Sequence, residues 1–200
     1  NMNTEYEATF TDVDKDEIRK KLRDIGARLI KPEALHKRMV FKLSKGHEEV
    51  GKFARVRDEQ DKITMSFKSV NTAGGYKGIA DQKEICLLVD NFENAIEFLR
   101  AIGCQDLAFQ ENKREIWQIG NTEITIDEWP FLEPFVEIEG QSEEAVRGMA
   151  GKMGFDYNKA MFCTAGKIYS DKYGIDESII HDYISKITFD MENPFLKNKI

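Results

Sequence analysis

Acidic side chains recur at a spacing of two residues in well-separated segments of this sequence. Residues two apart on a β-strand lie on the same face of the sheet, so each pair would project into one space. If the sheet closes into a barrel, five carboxylates in its interior could not all remain ionised without cations, and hard oxygen ligands favour Mg²⁺ or Mn²⁺. The pairs are Glu5 with Glu7 and Glu137 with Glu139, and the fifth carboxylate is the single Asp127, which lies opposite Ile124 and Ile126.

Basic side chains show the same spacing between the acidic segments. Arg55 and Arg57 form one pair, Lys68 ends the next segment, and Arg38 and Lys42 precede both. Guanidinium and ammonium groups opposite carboxylates favour phosphate oxygens as ligands. If the sheet closes into a barrel, its charged face lines the interior and suits a polyphosphate with its metal ions. If the sheet stays open, the same charges form an ordinary solvated face.

Alternation of polar and apolar residues predicts the strands that would position these charges, and amphipathic periodicity predicts the helices between them. This succession predicts an α+β fold with mainly antiparallel pairing. The strands are expected at 4–10, 35–43, 52–58, 62–69, 83–89, 108–118, 122–128 and 134–139, and the helices at 14–26, 92–102 and 142–153. A glycine-containing loop is expected at 71–78, and a helix at 164–173 precedes an irregular tail with a short strand at 187–189.

Composition limits the classes of partner. The chain has 200 residues, a formal net charge of −7 and a pI near 5.2, so we expect neither nucleic acid nor an anionic membrane as its partner. No stretch reaches the roughly 18 apolar residues of a membrane-spanning helix. Three scattered cysteines form no disulfide or zinc pattern, which predicts a reducing, cytoplasmic environment.

The ordered set of charged motifs resembles the CYTH superfamily, the triphosphate tunnel metalloenzymes. Glu5-Tyr6-Glu7-Ala8-Thr9 is similar to the family's E-x-E-x-K, Arg55-Val56-Arg57 to its R-x-R, and Glu137-Ile138-Glu139 to its closing E-x-E. The resemblance covers about residues 3–155 and leaves 156–200 as a C-terminal helical or irregular extension packed on the tunnel domain. The single matching positions are Lys68, Glu84, Arg114 and Asp127.

The resemblance implies an α+β fold built on an eight-stranded antiparallel β-barrel, a triphosphate tunnel, with flanking helices. Its acidic residues would hold Mg²⁺ or Mn²⁺, and its basic residues would hold the phosphate chain. The implied catalytic residues are Glu5, Glu7 and Asp127. The implied metal ligands are Glu5, Glu7, Asp127, Glu137 and Glu139. The implied substrate-binding residues are Arg55, Arg57, Lys68, Glu84 and Arg114.

Three functions remain open on this sequence. The leading expectation is a metal-dependent phosphohydrolase that acts on an inorganic or organic triphosphate. The first alternative is a class IV-type adenylate cyclase that converts ATP to cyclic AMP and pyrophosphate. The second is a triphosphate-binding module with little turnover, because Thr9 and Asn112 stand where the family's motifs have lysine. The expected partner is a small-molecule triphosphate or nucleotide, and a homodimer is left open.

Two further groups receive a structural interpretation. Trp129, Phe131, Leu132 and Phe135 form an apolar cluster beside the acidic strands, which predicts core packing, with a ring-stacking wall at the entrance as the alternative. His36 has no metal-ligand spacing to another histidine, so we expect it to be a surface or structural residue.

Overall fold

We analysed a computed structural model that describes residues 3–47, 49, 51–70 and 78–196. Apart from Gly78, the loop expected at 71–78 lies outside these residues. The strands are β1 Asn3–Phe10, β2 Arg28–Lys42, β3 Lys52–Asp58, β4 Ile63–Val70, β5 Gln82–Val89, β6 Gln105–Ile119, β7 Thr122–Glu128, β8 Phe135–Gly140 and β9 Lys186–Ile187. The α-helices are α1 Lys15–Asp24, α2 Phe92–Ala101, α3 Glu143–Lys152, α4 Ala165–Tyr173 and α5 Glu177–Tyr183.

Eight of the strands form a closed barrel. Neighbouring strands follow the order β2-β3-β4-β5-β1-β8-β7-β6, and β6 pairs back with β2 to complete the ring. Every pairing around the ring is antiparallel, whereas the short β9 adds to β6 in parallel. The predicted eight-stranded antiparallel barrel with flanking helices is therefore confirmed.

The hydrophobic core lies outside the barrel wall. Ala8 and Phe10 of β1 pack with Ile18 of α1 and Val146 of α3, and a second cluster joins Phe41 and Val56 to α2. Since successive side chains of a strand face opposite ways, burying the apolar set under the helices directs the charged set inward. The alternation read from the sequence therefore gives a polar interior.

The helices that cover the barrel begin at residues whose side chains cap free backbone amides. Asp14, Asn91 and Ser142 each accept a hydrogen bond from an amide of the first turn of α1, α2 and α3 respectively. Gly26 and Gly103 follow α1 and α2 with φ angles of 81° and 93°, a conformation that glycine adopts without strain. These signals explain why sequence alone located the helices closely.

The chain after α3 packs against the barrel end where β7 finishes and β8 begins. Trp129 and Phe135 lie in one buried cluster with Tyr169 of α4 and Phe195. Nearer the start of this segment, the amides of Thr9 and Met161 each donate to the other residue's carbonyl at 2.9 Å. Among the described residues, no helix is both long and apolar enough to cross a membrane.

Candidate active site

The strand registers bring the predicted site residues to the inner face of the barrel. Glu7 lies opposite Glu139 and Thr9 opposite Glu137 between β1 and β8, and β6 sets Arg114 opposite Asp127. Side chains directly opposite in adjacent strands share a face. The residues brought together are Glu5, Glu7, Arg55, Arg57, Lys68, Glu84, Arg114, Asp127, Glu137 and Glu139. Their roles in binding and catalysis remain predictions.

One group of interior charges centres on Glu5. The ammonium nitrogen of Lys68 lies 2.9 Å from Glu5 Oε2, and Arg55 Nη2 donates to Glu84 Oε1 at 3.0 Å. Burial, and then a hydrogen bond with Glu84, raise the pKa of Glu5 to about 7. Burial acts the same way on Glu84, but the hydrogen bond with Glu5 and the charge of Arg55 lower its pKa to about 2. Of these two carboxyl groups, Glu5 is therefore the one that protonates first.

Two more carboxyl groups with raised pKa values lie close to Glu5, on β1 and β8. Burial and the charge of Glu137 raise the pKa of Glu7 to about 8. Burial and the charge of Glu123 raise the pKa of Glu139 as well. This side of the barrel therefore carries more carboxylate than its own bases neutralise, which is the condition under which an added cation binds.

A second group centres on Arg114. Its Nε donates to Asp127 Oδ1 at 2.9 Å, and its Nη2 donates to Glu137. Asn112 Nδ2 and Thr125 Oγ1 also donate to Asp127, each at 2.7 Å. Burial raises the pKa of Asp127, whereas for Glu137 the charge of Arg114 overcomes burial and lowers the pKa. Arg114 thus bridges two acids that the sequence predicted as metal ligands.

Arg57 forms an ion pair with Glu59, an acid that the sequence interpretation missed. Its Nη2 lies 2.8 Å from Glu59 Oε1, and Lys31 and Lys62 lie 3.6 and 3.4 Å from the other oxygen. Burial alone would raise the pKa of Glu59, but the charge of Arg57, followed by that of Lys62, lowers it to about 2. Glu59 lies beyond the end of β3, so the alternation within the strand gave no signal for it.

His36 also belongs to this region, and the expectation that it could be a surface residue is wrong. Its side chain is 1% exposed, and its Nδ1 is buried without a hydrogen-bond partner among the described residues. Burial and the charges of Arg114 and Arg57 lower its pKa to about 3, so the imidazole is neutral. Its spacing of two from Arg38 placed it on the inner face, and that signal could have found it.

The two positions that depart from the family motifs have specific surroundings. Thr9 is buried opposite Glu137, and its backbone pairs with Met161. Asn112 is fully buried, accepts a hydrogen bond from Arg38 and donates one to Asp127. Asn112 therefore links a base to an acid at a position where the resemblance led us to expect a base.

The apolar cluster near the acidic strands is a packing feature. Trp129, Leu132 and Phe135 are buried against α4 and α5, and Phe131 packs at their edge. Core packing, the first of the two interpretations, describes these contacts. Trp129 has a second contact, because its ring also lies against Arg38 of the barrel interior.

The chemistry of the interior fits divalent metal ions. Five acidic side chains present oxygen donors, and all of them except Glu137 have pKa values raised by burial and neighbouring acids. Within the part of the chain described here, however, no three acids, histidines or cysteines already surround a common point. Lys68 and Arg114 stand between them, so metal binding requires these bases to shift their contacts.

Comparison with known proteins agrees with this architecture. The CYTH domain family model matches residues 5–165, and no curated protein matches the sequence. The PH1012 protein of Pyrococcus horikoshii OT3 is 19% identical, with a TM-score of 0.64 over 80% of this chain and 96% of that one. A candidate adenylate cyclase of Vibrio parahaemolyticus is 13% identical, with a TM-score of 0.70 over 85% and 99% of the two chains. At these identities the likeness shows a shared fold.

Proposed function

Since this chain belongs to the CYTH family, we propose that it is a divalent-metal-dependent enzyme that hydrolyses an inorganic or organic triphosphate inside its barrel. The observation that carries the proposal is the mutual pairing of interior acids and bases, of which Lys68 with Glu5 and Arg114 with Glu137 are examples. Metal-bound triphosphate offers each set a new partner, because phosphate oxygens suit the bases and metal ions suit the acids.

The acids divide into two groups by position. Glu5, Glu7 and either Glu137 or Glu139 would hold one ion, and Asp127 would hold a second. Such ions neutralise phosphate charge and lower the pKa of a bound water. Since the pKa values of Glu5 and Glu7 are raised to about 7 and 8, the protons that these groups carry near neutral pH must leave when they become ligands.

The bases would bind the phosphate chain and neutralise the charge that develops on the leaving phosphate. These bases come from three strands: Arg55 and Arg57 from β3, Lys68 from the neighbouring β4, and Arg114 from β6. Glu84 holds Arg55 at 3.0 Å and so positions that guanidinium. Thr9 carries no amine, so the proton acceptor for the attacking water must be a carboxylate or the substrate itself.

A binding module with little turnover is the second candidate. It is favoured by the absence of lysine at Thr9 and by the lack, among the described residues, of three ready-assembled metal ligands. A cyclase would use the same interior, with the ribose 3′-hydroxyl of ATP in place of water and pyrophosphate as the leaving group.

A product screen tests the proposal. The protein is incubated with inorganic triphosphate, ATP or thiamine triphosphate and Mg²⁺ or Mn²⁺, and phosphate, pyrophosphate and cyclic AMP are measured. Phosphate release that is lost in Glu137→Gln and kept in the exposed control Glu97→Gln supports a hydrolase. Cyclic AMP with pyrophosphate would replace the hydrolase by a cyclase. Tight triphosphate binding without any product would replace it by a binding module.

A further inference from the structure

Arg38 is a buried cation of the barrel interior that has no acidic partner. The residue is 6% exposed, and no carboxylate oxygen within the described ranges lies within 4.0 Å of its guanidinium. Its Nη2 donates to the amide oxygen of Asn112, and its Nε is buried without a hydrogen-bond partner. A buried charge left in this state is unfavourable unless something else neutralises it.

The other interior bases differ from Arg38 in this respect. Arg55 pairs with Glu84, and Lys68 pairs with Glu5. Arg114 pairs with two acids. Burial and the charges of Arg55, Arg57 and Arg114 lower the pKa of Arg38, and the opposing charge of Asp127 does not overcome them, so the net surroundings of this guanidinium are positive. An anion that entered the interior would meet its least compensated positive charge here.

The position of Arg38 on β2 is explained by the uncharged residue Asn112 on the neighbouring strand β6. The family motif that Arg114 matches has lysine two residues earlier, at the position of Asn112 in this chain. His36, two residues before Arg38, lies opposite Asn112 across the β2–β6 pairing, so Arg38 reaches Asn112 along a diagonal. We propose that Arg38 is a phosphate-binding residue of the tunnel, supplying from β2 the positive charge that β6 lacks at Asn112.

Trp129 fixes Arg38 without neutralising it. The guanidinium carbon lies 4.5 Å from the centre of the Trp129 ring, and that ring makes an edge contact with Tyr169 of α4. A ring against the face of a guanidinium leaves the N–H groups of its edge free for an oxygen ligand. The unpartnered Nε belongs to that edge. The ligand is a phosphate oxygen of the bound triphosphate, so this inference rests on the proposed function.

The test exchanges the cation between the two strands. Wild type, Arg38→Gln, Asn112→Lys and the double variant are titrated calorimetrically with inorganic triphosphate, with and without Mn²⁺, and melted in its absence. Arg100→Gln, which removes an exposed arginine paired with Glu97 and Asp106, is the matched control. Arg38→Gln should weaken binding by about tenfold or more, and the double variant should recover to within about threefold of wild type. Without ligand, Arg38→Gln should melt no lower than wild type, since it removes an unpaired buried charge.

Each other outcome has a definite meaning. If wild type binds inorganic triphosphate and Arg38→Gln binds it equally well, the role of Arg38 is overturned and the proposed function stands. If Arg38→Gln melts well below wild type or fails to fold, Arg38 is a packing residue and the inference is likewise overturned. A double variant no better than Arg38→Gln rejects the exchange of charge between strands. If wild type itself does not bind, the proposed function fails, and the inference fails with it.

Discussion

The ammonium of Lys68 lies 2.9 Å from the carboxyl group of Glu5, so a residue predicted to hold phosphate contacts a residue predicted to hold metal. The same relationship links Arg114 to Asp127 and Glu137. In the free protein, the interior acids and bases therefore largely satisfy one another. At these paired residues, binding of a metal–triphosphate complex must exchange existing contacts, whereas Arg38 has no acidic partner to give up.

The stability of the metal-free protein should fall as the pH rises from about 6.5 to about 8. The folded protein keeps protons on Glu5 and Glu7, with pKa values of about 7 and 8, whereas the same groups are ionised in the unfolded chain. Stability then declines by about 1.4 kcal/mol per pH unit for each carboxyl that stays protonated only when folded. Denaturant unfolding at several pH values in EDTA measures this slope.

Two variants show which residue causes the change of unfolding free energy with pH. Glu7→Gln should reduce it, because one of the two titrating groups is gone, whereas the exposed Glu97→Gln should leave it unchanged. The measurements begin at pH 6.5 because of His36, whose pKa is lowered to about 3 in the folded protein. Below pH 6.5 this histidine makes the free energy of unfolding increase with pH, which opposes the effect of Glu5 and Glu7. Unfolding free energy that is flat or rises from pH 6.5 to 8 would contradict the protonation assigned to Glu5 and Glu7.

Substitution of the basic residues should lower the affinity for a long phosphate anion more than the affinity for a short one. Arg57→Ala and Lys68→Ala should each weaken inorganic triphosphate much more than inorganic phosphate, because a longer anion spans more of the bases. Arg57→Ala should still fold, since Lys31 and Lys62 remain 3.6 and 3.4 Å from the acid it leaves behind. Titration calorimetry with both anions measures the effect. Equal losses for the two anions would show that these residues are structural.

Thr9 should matter little to the reaction through its side chain. Its hydroxyl cannot accept a proton near neutral pH, and its structural contacts to Met161 are made by the backbone. Thr9→Ala should therefore lower the rate less than about tenfold, or about 1.4 kcal/mol of barrier. Thr9→Lys should fold and change the pH–rate profile. A loss in Thr9→Ala as large as that in Glu5→Gln would show that the hydroxyl is central.

Local signals located most of the fold. The alternation of Glu5 and Glu7 with Tyr6 and Ala8 placed β1, and side-chain caps such as Asp14 placed the helices. The sequence interpretation began the second strand at residue 35, whereas β2 starts at Arg28, since its first part pairs with β6 through bulges that break the alternation. The helix α5 was missed, because its seven residues depend on packing with α4 and Phe195 for their stability.

The sequence predicted which charged residues face the barrel interior, but it did not predict which of them form ion pairs. Alternation placed acids and bases on one face, yet which base meets which acid depends on the registers of eight strands. Arg38 was noted as a charge, but its isolation from carboxylates follows from Asn112 and Trp129, which lie about 75 and 90 residues later in the chain. Glu59 was missed for a different reason, because it lies one residue beyond the end of β3, where the alternation of the strand no longer applies.

If the interior acids hold metal ions while the interior bases hold a triphosphate, phosphate release must depend both on Glu5 and on a divalent cation. Initial rates are measured for wild type, Glu5→Gln and the control Glu97→Gln, with the substrate that wild type cleaves fastest, in Mn²⁺ or Mg²⁺ and in excess EDTA. We predict that EDTA abolishes release and that Glu5→Gln lowers it by about a hundredfold or more, with the native fold retained. Wild-type rates in EDTA, or in Glu5→Gln with metal present, would contradict the account.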